Sequence, residues 1–71
     1  MNKQQFIDAP LAELATVTGL DPSNLGKILK GKKVNETTLE KISKATGIPV
    51  HEVLEAINQR RSRVMVRNHH Y

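Results

Sequence analysis

Leu11-Ala12-Glu13-Leu14-Ala15-Thr16-Val17-Thr18-Gly19-Leu20-Asp21-Pro22-Ser23-Asn24-Leu25-Gly26-Lys27-Ile28-Leu29-Lys30 is the stretch on which the fold turns. Leu11, Leu14, Ala15 and Thr18 recur at i, i+3, i+4 and i+7, the spacing that puts four side chains on one stripe of a helix. Gly19 follows, a residue able to take the left-handed conformation that closes a helix. Leu20 can then pack back behind the turn. Asp21-Pro22 restarts the chain: aspartate is a strong N-cap, because its carboxylate accepts a bond from an orphan backbone N–H. Proline suits a first helical position, where no N–H is needed. A second helix to about Lys30 follows, with Leu25, Ile28 and Leu29 apolar and Ser23, Asn24, Lys27 and Lys30 polar. Gly26 weakens it by up to ~1 kcal/mol relative to alanine, and Gly31 stops it.

Outward from this pair the punctuation stays regular, with no internal repeat. Lys3 to about Ala9 reads as a short helix offering Phe6 and Ile7 to a core, and Pro10 suits the first turn of the helix after it. The Lys32–Asn35 loop leads into a fourth helix, capped either by Asn35 or by Thr37 with Glu40 as a capping box. Leu39, Ile42 and Ala45 face inward there, Gly47 ends it and Ile48 docks behind. A fifth helix from Pro49 presents Val50, Val53, Leu54 and Ile57 as a stripe. The expected fold is all-α, five short helices around one core over residues 1–58, with residues 59–71 as a basic C-terminal arm or dimerisation extension. Three readings of that extension stand open: a basic arm gripping nucleic acid through Arg60, Arg61, Arg63 and Arg67, a continuation of the fifth helix to about Val64, or an intersubunit strand from the Val64-Met65-Val66 alternation. The arm ranks first.

Length and composition narrow the function. A chain of 71 residues holds one domain and a thin core. It contains no cysteine, which excludes disulfides and thiolate metal sites. No apolar run approaches the ~18 residues of a membrane span, so a cytoplasmic location is expected. Phe6 and Tyr71 are the only aromatics, too few for a base-stacking platform. Eleven Lys and Arg stand against seven Asp and Glu, for a formal net charge of +4. Lys27, Lys30, Lys32 and Lys33 form one basic cluster and Arg60, Arg61, Arg63 and Arg67 another; segregation of this kind suits a phosphate backbone. His51 reads as an exposed helix residue. His69 and His70 lack a third ligand in reach, so no metal site and no cofactor is expected. With no thiol, no phosphate-binding glycine loop and no histidine paired to a buried carboxylate, neither is an enzyme.

The residues Leu14, Ala15, Gly19, Leu20, Leu25 and Ile28 resemble the bihelical unit of the lambda-repressor/Cro-like helix-turn-helix family. Ala15 is small where two helices cross, Gly19 makes the tight turn, and the three aliphatics tie the second helix of the pair to the core. Lys30-Gly31-Lys32, Thr38-Leu39-Glu40-Lys41-Ile42, Ala45-Thr46-Gly47-Ile48 and Glu52-Val53-Leu54 are similar to the family's later elements, so the likeness runs from about Leu11 to Leu54.

The resemblance implies a regulator of transcription, a repressor by expectation, that binds double-stranded DNA as a homodimer with helix 21–30 in the major groove. By the same likeness Pro22, Ser23, Gly26 and Lys27 face bases. Asn24, Lys30, Lys32, Lys33 and Asn35 lie by phosphates, and N–H groups around Leu11 and Ala12 are offered to one more. Lys27 can donate to guanine O6 and N7. Pro22 and Gly26 donate nothing, so specificity rests partly on DNA shape. The competing expectation is a protein-interaction module, or an antitoxin that binds a toxin or co-regulator.

Overall fold

A computed structural model describes residues 1–68, with side chains described through Arg63. Five helices follow one another among the described residues: α1 (Lys3–Asp8), α2 (Leu11–Thr18), α3 (Pro22–Leu29), α4 (Glu36–Thr46) and α5 (Val50–Asn68). All five feed one core, in which Phe6, Leu14, Leu25, Ile42, Val53 and Ile57 are fully buried.

The helix starts show which caps work. Asn2 and Gln5 form a reciprocal capping box on α1, each side-chain oxygen accepting the other residue's N–H at 2.8 Å. Asn35 caps α4, its Oδ1 accepting Thr38 N–H at 2.8 Å; the alternative box on Thr37 is not the cap in use. Asp21 occupies the N-cap position of α3 but makes no side-chain bond to it. The reason is local. Asn2 and Asn35 sit at ψ 174° and 167°, whereas Asp21, before a proline, sits at ψ 127°, inside the extended range of about +120 to +160° that such residues occupy and roughly 40° from the two working caps. Pro10 is likewise the N-cap of α2 and not its first-turn residue.

The corner between α2 and α3 is made by Gly19 at φ 71°, where a side chain would be strained. Thr18 beside it is buried yet satisfied: its Oγ1 donates to Leu14 O at 2.7 Å and accepts Leu20 N–H at 3.3 Å. The chain uses the same device after α4, where Thr46 Oγ1 donates to Ile42 O at 2.8 Å and accepts Ile48 N–H at 3.3 Å.

Three expected core positions differ. Ala45 is exposed and Thr46 is buried in its place. Val50 and Leu54 are 37% and 40% exposed, while Ala56 is fully buried. The inward stripe of α5 is centred on Val53, Ala56 and Ile57, at i, i+3 and i+4, and Val50 and Leu54 fall on its flank. The segment after Asn58 continues α5 without a break through Asn68. The strand reading of Val64–Val66 therefore fails, and so does a separate arm over residues 59–68. His69, His70 and Tyr71 lie outside the described residues.

Candidate nucleic-acid interface

Burial divides α3 lengthwise. Leu25, Ile28 and Leu29 are buried, while Pro22, Ser23, Asn24, Lys27 and the C-cap Lys30 are exposed. The inward face ties the helix down, so the outward face is carried on a fixed platform. Gly26 stands between the two faces, half-buried; a Cβ there would meet Leu11 Cδ2 at 3.4 Å. That is an ordinary contact with the flexible end of a side chain, so the α2–α3 crossing would accept alanine at this position. Ala15, also buried, lies on the α2 side of the same pair.

The end of α3 is closed by a Schellman turn. Lys32 N–H donates to Lys27 O at 2.9 Å and Gly31 N–H to Ile28 O at 3.1 Å, with Gly31 at φ 128°. Lys32 and Lys33 follow at once and are exposed. Asn35 is exposed too; its Oδ1 is used as the cap of α4, which leaves its amide N–H groups to donate. Among the described residues no carboxylate pairs with Lys27, Lys30, Lys32 or Lys33. Four ammonium groups on one end of α3 and its loop are thus uncompensated. Pro10 gives α2 no side-chain cap, so the N–H groups of its first turn have no side-chain partner, and Glu13 stands in that turn.

The arginines of α5 are placed differently. Arg60 Nη1 donates to three carbonyls at the end of α1: Phe6 O at 3.1 Å, Ile7 O at 2.7 Å and Ala9 O at 2.7 Å. Burial pushes its pKa below the usual arginine value, and Arg63 nearby acts the same way. Arg61 Nε donates to Ile28 O at 2.9 Å, and its Nη2 to Lys32 O at 2.6 Å. Arg63 Nη1 meets Asp8 Oδ1 at 3.2 Å. A free basic arm therefore does not describe these three residues. Arg60 and Arg61 are turned onto the domain because carbonyls at and just past helix C-termini keep spare acceptor capacity and partial negative charge, and Arg63 is turned there by the carboxylate of Asp8. Arg67 is on α5, and its side chain lies outside those described. Sequence reading placed the exposed lysines but missed the arginine caps. Their partners are backbone carbonyls 29 to 54 positions away, which leave no mark in residue types.

The helix-turn-helix family model matches residues 10–53, from the N-cap of α2 into the first turn of α5. No match was found among curated proteins or among solved structures.

Proposed function

The chain belongs to the lambda-repressor/Cro-like helix-turn-helix family of DNA-binding regulators, and from that premise we propose that it is a sequence-specific repressor that acts as a cytoplasmic homodimer with α3 in the major groove. The observation that supports this most is the bare outer face of α3, where Ser23, Asn24 and Lys27 are exposed on a helix anchored by Leu25, Ile28 and Leu29. Pro22, Ser23 and Lys27 lie against base edges. Gly26, set among them, offers no side-chain donor, and Lys27 donates to guanine. Asn24, Lys30, Lys32, Lys33 and Asn35 hold phosphates and fix the register.

Two copies are needed because successive major-groove faces lie ~34 Å apart. Val50 and Leu54, one turn apart and exposed on α5, are apolar surface that a second copy would cover. The test is duplex titration at ~50 and ~200 mM salt, over which a protein with several phosphate contacts loses affinity by orders of magnitude. Lys27→Ala is expected to weaken binding by about 1–3 kcal/mol and to relax preference at one base pair. Absence of duplex affinity at the lower salt would overturn the reading in favour of a protein-binding module.

A further inference from the structure

We propose that Arg61 is a positioning residue: it holds the last turn of α3 and the loop bearing Lys32 and Lys33 in the arrangement that faces the phosphate backbone, a role resting on the DNA-binding reading above. Its guanidinium bridges two carbonyls on opposite sides of the Schellman turn. Nε takes Ile28 O, which also accepts Gly31 N–H at 3.1 Å, and Nη2 takes Lys32 O at 2.6 Å. The carbonyl of Lys32 belongs to the peptide that leads into Lys33, so the bond fixes the backbone between the two exposed lysines. A planar fork with donors in fixed directions can span such a pair, whereas an ammonium is a point charge. Arg61 is half-buried and has no carboxylate partner among the described residues. It also lies beyond the stretch that matches the family model, so this support for the reading head comes from the chain's own extension of α5.

A loop lysine that is already placed adds a phosphate contact at low entropic cost; one on a loosened loop must be ordered at the moment of binding. Arg61 thereby links the extension of α5 to the strength of phosphate contact without touching DNA.

The test uses the full chain and its Arg61→Ala and Arg61→Lys variants. Amide hydrogen exchange is read residue by residue, and affinity is read on a mixed-sequence duplex of about three helical turns over a salt series. Arg61→Ala is expected to speed exchange at Gly31 and Lys32 by roughly tenfold or more, relative to amides inside α2 and α4. It is also expected to weaken duplex binding at every salt concentration, by no more than Lys32→Ala with Lys33→Ala does, and to add little on top of that pair. Arg61→Lys, which keeps the charge and loses the fork, is expected to follow Arg61→Ala. Unchanged exchange at Gly31 and Lys32, or acceleration spread evenly over all helices, would overturn the proposal. Full rescue by lysine together with additivity would also overturn it, since that is how a direct phosphate contact behaves. If the wild-type chain shows no duplex affinity, the DNA-binding reading fails, while the exchange data still decide whether Arg61 orders the loop.

Discussion

The two halves of α5 are attached to the same domain by different physics. From Val50 to Ile57 the helix is held by apolar burial: Val53, Ala56 and Ile57 are fully enclosed. From Arg60 to Arg63 it is held by guanidinium groups seated on the carbonyl ends of α1 and α3 and by one carboxylate, Asp8. The first attachment is non-directional and scales with area removed from water. The second depends on donor geometry, and an arginine that stays partly in water gains less from each bond. Loss of the first should therefore dissolve the fold. Loss of the second should loosen particular helix ends while leaving the core intact.

Ile57→Ala carries the largest expected effect. Truncating a fully buried aliphatic costs ~2–5 kcal/mol. A domain of this length has a total stability of the order of 5 kcal/mol. Urea denaturation followed by circular dichroism should show the midpoint collapsing toward zero denaturant, with no separate transition for the extension. Retention of most of the wild-type midpoint would mean that the apolar half is not the principal attachment. Arg60→Met comes next. It keeps much of the stem and removes donors to Phe6, Ile7 and Ala9 carbonyls, for an expected loss of about 1–3 kcal/mol with the exposed carbonyls partly rehydrated. Because α1 is tied down through its last turn, amides of that helix should exchange faster than those of α4. A loss as great as that from Ile57→Ala would erase the distinction between the halves.

The same contrast explains what could be read from residues alone. The five helices, the glycine corner at Gly19 and the exposed lysines of α3 were legible because each leaves a local signature: a period near 3.6, a left-handed position, or a charge beside an apolar stripe. Val50 and Leu54 misled because they fit the same helical period as Val53 and Ile57; which edge of a stripe stays wet is decided by the neighbouring helices. Thr46 was missed because a threonine that bonds its own helix can be buried at little cost. The arginines of α5 read as an arm because a run of like charges next to a polar stretch looks solvated. The carbonyls that receive them exist only once α1 and α3 have ended where they do.

The smallest effect belongs to the exposed ion pairs, and pH separates it from the arginine caps. The Asp8 carboxyl is held below the usual carboxylate range by the Gln4 side-chain hydrogen bond and by Arg63, and that of Glu55 by Lys3, whose Nζ lies 2.9 Å from its Oε1. A carboxyl whose folded pKa is depressed contributes stability that is fully present above the unfolded value near ~4 and is lost as pH falls through the folded one. Thermal midpoints of the wild-type chain should therefore be level from about pH 7 to about pH 5 with respect to these two groups and decline below about pH 4. Asp8→Asn should have a slightly lower midpoint at neutral pH and a shallower acid decline, and added salt should shrink the difference, because both partners are open to solvent. The caps of Arg60 follow another rule: carbonyls do not titrate and a guanidinium keeps its charge, so most of the deficit of Arg60→Met should persist as pH falls from about 7 to below the depressed folded pKa of Asp8, with only the weaker attraction to that carboxylate lost. An Arg60→Met deficit that vanished in acid would show that its worth came through Asp8 and not from the α1 carbonyls.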